Sequence, residues 1–182
     1  INDTHPALCV AELMRLLVDE YNLEWDEAWT ITRATIAYTN HTIMPEALET
    51  WPVDMFKTLL PRIYMIIEEI NRRHCEYVKA RYPDNVEKLR ALSIIESGLV
   101  HMARLSIVGS HSVNGVARIH SEILKSTTLH DFYEYWPRMF NNKTNGITHR
   151  RWLMGANPEL AELIDRTIGS RIWHRHPEQL DL

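Results

Sequence analysis

The apolar positions of this chain repeat with the period of an α-helix over most of its length. The longest repeat runs from about residue 61 to residue 82 and stops before Pro83, a residue that helices rarely pass. Charged residues occupy its other faces, as in an amphipathic helix. Its apolar stripe consists of Ile63, Ile66, Ile67, Ile70, His74, Tyr77 and Val78.

Helix boundaries can be placed at several other points. Asn157 precedes Pro158 and Gly169 follows the last apolar residue, which is the usual cap, first turn and stop of a helix. Similar stripes predict helices after Asp3 or Thr4, after Asn22, after Asp84 and after Asn114. Only 41–44 and 105–108 carry a strand signal, and the second fits a helix equally well. We therefore predict a mainly α chain, with helix above half and strand below a tenth of its residues.

Composition excludes several classes of protein. The formal net charge of −4 over 182 residues disfavours a dedicated nucleic-acid binder. No apolar run approaches the roughly 20 residues that span a bilayer. Cys9 and Cys75 are too few and too far apart for a disulfide framework, so a cytoplasmic protein is the default. Ten histidines are present without a metal-binding spacing, and we predict no metal site.

Four polar segments are candidates for chemistry, and each has a plain structural alternative. Residues 2–6 (Asn-Asp-Thr-His-Pro) fit a helix cap, which the spacing alone favours, and residues 38–42 (Tyr-Thr-Asn-His-Thr) fit either a loop or a site for a polyhydroxylated ligand. Residues 109–115 lack the Gly-Lys-Ser/Thr ending of a phosphate loop and favour a turn into a helix. Residues 141–148 are rich in amides, which favours a connector.

The chain opens directly on the first of these segments, with Ile1 and no initiator Met. We therefore expect a piece of a longer protein, in which other residues complete any reaction.

Taken in order, these segments resemble the α-glucan (glycogen, starch and maltodextrin) phosphorylases. The resemblance covers the chain to about Gly169, in family order and at nearly family spacing. It is carried by residues 2–8, 12–15, 38–42, 45–49, 51–53, 60–62, 70–71, 108–117, 119–121, 142–148, 150–153 and 157–158.

The resemblance implies a fold and a reaction. The full protein would have an α/β, two-domain GT-B (Rossmann-like) glycosyltransferase fold, with 1–149 ending the N-terminal domain and 150–182 starting the C-terminal domain. Orthophosphate would attack the terminal glucosyl unit of an α-1,4-glucan and release glucose 1-phosphate. Pyridoxal phosphate would supply the proton-shuttling phosphate group, bound to a lysine outside this chain. The chain alone would therefore bind no cofactor and be inactive, and it would form homodimers or self-associate.

The resemblance also assigns roles to individual residues. His41 would border the reacting glucosyl unit with its carbonyl and ring, and the amide of Asn145 would bond hydroxyls of the same sugar. Asp3 and His5 would line the pocket on the sugar's reducing side. Glu46 and Glu49 match acidic positions to which we give structural weight only. A non-catalytic glucan-binding module and a helical interaction module stay open as alternatives.

Overall fold

The computed structural model of the chain describes residues 1–44 and 48–181. Helices hold 62% of the residues, so the prediction of a mainly helical chain is confirmed. The chain divides into two units, Ile1–Thr144 and Asn145–Leu182, which are described separately below. The assignment of 1–149 and 150–182 to two family domains stays a prediction.

The described residues of the first unit, 1–44 and 48–144, form eight α-helices. Two of them continue into π-helical turns, α1 into Leu16–Glu20 and α7 into Leu124–Thr128. The bounds are α1 Cys9–Arg15, α2 Trp25–Thr35, α3 Val53–Leu59, α4 Pro61–Arg81, α5 Val86–Leu92, α6 Met102–Val108, α7 Arg118–Ile123 and α8 His130–Tyr135.

The long helix predicted from the apolar stripe is α4. Its stripe from Ile63 to Val78 is buried, and the helix ends at Arg81, two residues before Pro83. Tyr77 is the exception within the predicted stripe, because its side chain is exposed.

Among the residues of the first unit that the structure describes, six short strands form two sheets. The strands are β1 Ala37–Thr39, β2 Thr50–Pro52, β3 Ile95–Glu96, β4 Leu99–His101, β5 Ser112–Gly115 and β6 Phe140–Asn142. One sheet is parallel, in the order β1-β5-β6, with Tyr38 paired to Val113 and Asn114 paired to Asn141. A parallel bridge between Asn2 and Thr39 extends this sheet beyond β1. The other sheet is antiparallel, in the order β2-β4-β3.

The structure corrects several local predictions. Residues 105–108 lie in α6, and 41–44 form no strand. Residues 112–115 form β5, so Asn114 lies in a strand and does not cap α7. Asn22 has a φ of 55° and precedes α2 without capping it. Asp3 does not cap α1, because this helix begins only at Cys9. The carboxylate of Asp3 instead accepts a hydrogen bond from the N–H of Thr4.

The second unit contains one clear helix, α9 Pro158–Ile168, after a π-helical turn at Arg150–Gly155. The predicted boundaries of α9 are confirmed. The Asn157 side chain accepts a hydrogen bond of 3.2 Å from the N–H of Leu160, and Gly169 ends the helix with a φ of 70°. Trp173 is fully buried against this helix and donates its indole N–H to Asp165 at 2.8 Å.

Candidate functional site

The polar segments of the first unit meet at the carboxyl edge of the parallel sheet. Thr39 ends β1, Gly115 ends β5 and Asn142 ends β6, and the strands run in the same direction. The bridge at Asn2 brings the start of the chain to the same edge. In open α/β sheets, ligands bind outside the carboxyl ends of the strands. The topology therefore assembles one candidate site from segments far apart in sequence.

Asp3 and His41 are in direct contact at this edge. The backbone N–H of Asp3 donates to the carbonyl of Thr39 at 2.8 Å, which fixes the turn against the end of β1. One carboxylate oxygen of Asp3 accepts from the N–H of Thr4 at 2.7 Å, and the other accepts from the N–H of His41 at 3.3 Å. The exposed ring of His41 donates from Nε2 to the side-chain oxygen of Asn2. Two of the predicted site residues are thus brought together.

Asn40 lies immediately before His41 and is fully buried. Its Nδ2 donates to the hydroxyl oxygen of Tyr38 at 3.0 Å. Its Oδ1 accepts two hydrogen bonds, from the N–H of Thr42 at 3.0 Å and from His120 Nε2 at 3.1 Å. Burial also raises the pKa of Tyr38, which therefore stays a neutral phenol.

Asn114 links β5 to β1 at the same edge. Its Oδ1 accepts from the Thr39 hydroxyl at 2.9 Å, and its backbone carbonyl accepts from the N–H of Asn40 at 2.9 Å. Its amide nitrogen donates to the carbonyl of Gly115 at 2.9 Å. Amides, hydroxyls and backbone groups thus dominate this edge, with Asp3 as the carboxylate among them.

His5 lies beside this edge, on an apolar groove. The groove has a volume of about 270 Å³ and is lined by Thr4, His5, Leu8, Glu49, Trp51, Met55, Phe56, Leu59, Leu60 and Met102. The buried Thr4 hydroxyl donates to the carboxylate of Glu49, which gives Glu49 the structural role expected of it. Glu46 lies outside the described residues.

Asn145 is exposed and is the first residue of the second unit. It follows the end of β6 by three residues along the chain. Within residues 1–44 and 48–181, no group of three or more His, Cys, Asp or Glu side chains is placed to hold a metal ion. No helix in the same ranges is long and apolar enough to cross a membrane.

Sequence reasoning missed the residues that support His41. Asn40 was part of a candidate segment without a role, and Asn114 was assigned to a helix cap. His120 lies outside the four polar segments that the sequence singles out. The signal in the sequence is weak: an Asn follows an aromatic or β-branched residue within two positions at Tyr38–Asn40, Val113–Asn114 and Phe140–Asn141.

Comparison with known proteins identifies the family to which this arrangement belongs. A sequence model of the family described as "Carbohydrate phosphorylase" matches residues 1–182. This chain belongs to the carbohydrate phosphorylase family. The resemblance seen in the sequence motifs is therefore confirmed.

Relatives within the phosphorylase family are close in sequence. Glycogen phosphorylase of Bacillus subtilis (strain 168) is 58% identical over 180 residues, which cover 99% of this chain and 22% of that protein. The muscle form of glycogen phosphorylase from Bos taurus is 59% identical over 172 residues, which cover 93% of this chain and 20% of that protein. The brain form from Homo sapiens is 58% identical with the same coverage. The chain thus spans about a fifth of the length of these phosphorylases.

Proposed function

We propose that this chain is part of an α-1,4-glucan phosphorylase and contributes part of its glucosyl subsite. The complete enzyme would use orthophosphate to release glucose 1-phosphate from the chain end of the glucan. The observation that carries this proposal is the contact between Asp3 and His41 at the carboxyl edge of the parallel sheet. Membership of the phosphorylase family supplies the reaction class.

The chemistry of this edge suits a neutral sugar. Glucose presents hydroxyl groups that both donate and accept, and amide, carbonyl and imidazole groups offer directional partners for both. Cleavage of a glycosidic bond passes through an oxocarbenium-like state, in which positive charge develops near the anomeric carbon. A backbone carbonyl aimed at that carbon stabilises the charge. We assign this role to His41, and we assign a hydroxyl contact to the amide of Asn145.

Three of the five lysines of this chain are held in contacts that do not suit the cofactor of the proposed enzyme. A Schiff base to pyridoxal phosphate forms from a neutral amine. Lys88 instead donates to Asp131 at 2.6 Å and to Glu134, and these hydrogen bonds raise its pKa. Lys125 is paired with Glu122, and Lys143 donates to Asn141. These contacts, together with the family resemblance, support our proposal that the cofactor lysine belongs to another part of the enzyme.

The remaining features of the complete enzyme are proposals from family membership. They are the GT-B fold with the domain assignment given above, a cytoplasmic location, a homodimeric state and allosteric control. A second candidate function is glucan binding without turnover. An open cleft of about 700 Å³ along α4, lined by hydrogen-bonding side chains such as Asn71, Arg72 and Glu76, supports it.

Kinetics of an Asn145→Ala variant of the full-length enzyme tests the proposed function. We expect kcat/KM with glucan and orthophosphate to fall by the equivalent of about 1–3 kcal/mol, because one hydrogen bond to a sugar hydroxyl is lost. Folding should be unaffected, since Asn145 is exposed. Gln179→Ala, which removes another exposed amide of the same unit, serves as the control. Unchanged kinetics for Asn145→Ala would remove it from the site, and glucan binding without any glucose 1-phosphate would favour the second candidate.

A further inference from the structure

We propose that His120 is a positioning residue that holds the backbone of His41 in place by way of the buried Asn40 side chain. This inference rests on the proposed function, because it concerns the residue that faces the glucosyl unit. It assigns a role to two side chains that do not themselves contact the sugar.

Asn40 closes a tight turn around His41. Its Oδ1 accepts the N–H of Thr42, two residues ahead, so that His41 is the central residue of an Asx turn. The N–H of Asn40 donates to the carbonyl of Asn114 in β5. The direction of the His41 carbonyl is therefore set by the two residues that flank it and by the orientation of one amide side chain.

The amide of Asn40 is held in a single orientation. Its nitrogen is fixed by Tyr38 and its oxygen by Thr42 and His120, and the side chain is fully buried. If the Asn40 amide were flipped, its NH2 group would face the N–H of Thr42 and Nε2–H of His120, which are both donors. These buried donors would then be unpaired, which costs about 1–3 kcal/mol for each group. His120 is the partner of Asn40 that comes from a helix, α7, far away in the sequence.

The tautomer of His120 follows from its two partners. Nδ1 accepts the N–H of Val116 at 3.0 Å, and it must therefore be unprotonated. Nε2 then carries the hydrogen and donates it to Asn40 Oδ1 at 3.1 Å. A protonated ring would set Nδ1–H against the N–H of Val116. Burial lowers the pKa of His120, which agrees with a neutral ring at pH 7.

The close approach of α7 to β5 places this ring. A methyl group on Gly115 would lie 2.5 Å from Ser121 Oγ and 3.0 Å from His120 Nδ1. Ser121 is itself held, because its hydroxyl donates to Asn142 Oδ1 in β6 at 2.8 Å. The helix that carries His120 is thus anchored to two strands of the sheet whose edge presents His41.

Two substitutions separate the two hydrogen bonds of His120. In His120→Gln, the amide nitrogen replaces Nε2 and keeps the donor to Asn40. In His120→Asn, the amide oxygen replaces Nδ1 and keeps only the acceptor for Val116. His120→Ala removes both bonds, and His130→Gln changes an exposed histidine of α8 as the control.

The test is the kinetics of these variants in the full-length enzyme, with maltoheptaose and orthophosphate as substrates. We expect His120→Gln and His130→Gln to stay within about threefold of the wild type. We expect His120→Asn and His120→Ala to lose about tenfold or more in kcat, the equivalent of one hydrogen bond, with little change in the KM for orthophosphate. Melting temperatures measured alongside should be similar for the Gln and Asn variants.

Other outcomes would overturn the positioning role. Equal kcat values for His120→Gln and His120→Asn, or losses that follow the melting temperatures, would mean that His120 only stabilises the fold. If neither variant folds, 15N spectra of the histidine-labelled wild type decide, because a charged ring or an Nδ1–H tautomer at pH 7 contradicts the arrangement. A wild-type enzyme that forms no glucose 1-phosphate would overturn the proposed function and this role together, whereas an active wild type with equal variants overturns this role alone.

Discussion

At the scale of single residues, Gly115 shows that β5 and α7 pack too closely to leave space for a side chain between them. We expect Gly115→Ala to lower the free energy of unfolding by about 1–3 kcal/mol, because the added methyl group would overlap Ser121 and α7 would have to move. Gly146→Ala is the matched control, since no atom of the described residues, apart from Gly146 and its two chain neighbours, lies within 4 Å of the added methyl group. Urea unfolding of both variants measures the difference. Equal stabilities would show that α7 adjusts freely.

His74 makes the stability of the first unit depend on pH. Its ring is almost fully buried against Phe132, Tyr135 and Trp136, and burial lowers its pKa from 6.5 to about 4. Between these values the unfolded chain binds the proton and the folded chain does not. The folded state should therefore lose stability as pH falls from 6.5 to 4, by up to about 3 kcal/mol.

Urea unfolding at several pH values, followed by tryptophan fluorescence, measures this loss. His74→Gln should remove most of the change in the free energy of unfolding between pH 6.5 and pH 4, because no imidazole remains to be protonated at that position. His176→Gln, at an exposed histidine, should leave it unchanged. A His74→Gln variant with the full acid dependence would contradict the assignment.

At the scale of elements, Asn71 joins α4 to the antiparallel sheet. Its Oδ1 accepts from the N–H of Ile94 at 2.8 Å and from the N–H of Ile95 at 3.1 Å. We expect Asn71→Ala to cost about 1–3 kcal/mol of stability, because the backbone N–H groups of Ile94 and Ile95 lose their acceptor at partly buried positions. The neighbouring Arg72→Ala breaks only exposed ion pairs, and it should cost less than about 1 kcal/mol. Denaturant unfolding of the Asn71→Ala and Arg72→Ala variants measures the two losses of stability, and similar losses for both would contradict this prediction.

The helices were predictable from the sequence where the pattern is long or capped, as in α4 and α9. The strands were not, because each holds only two to four residues and the parallel pairs join distant segments. The contact from His120 to Asn40 spans 80 residues. The local sequence pattern therefore identifies the polar segments that contain Asp3 and His41. The fold is needed to show that both segments lie at one edge of the sheet and that Asn40 and His120 support His41 there.

At the scale of the whole molecule, we expect the 182-residue chain to be inactive alone and to self-associate with rising concentration. The Ile63–Val78 stripe of α4 does not supply a surface for this association, because it is buried within the first unit. Exposed apolar side chains instead lie at Leu59 and Met55 in the apolar groove, and at Leu163 on α9. Soluble monomers rarely leave large apolar patches uncovered.

Light scattering at several concentrations, with an assay for glucose 1-phosphate, tests this expectation. Leu59→Glu combined with Leu163→Glu should shift the chain toward the monomer, while Val86→Glu, an exposed apolar position at the start of α5, should not. A monomer at high concentration contradicts the association, and turnover by the pure chain contradicts the inactivity.

The parallel sheet also has a consequence for synthesis on the ribosome. Thr39 and Asn114, which meet side by side, are 75 residues apart, and β6 must follow before β5 has both neighbours. Closing such long loops is slow compared with forming local helices. While the chain grows, α1, α2 and α4 can form, but β1 waits for a strand partner that has not yet been made. Within these residues, the segments that carry Asp3 and His41 are therefore synthesised well before β5 and β6, and their edge of the sheet is completed only after β6 has been made.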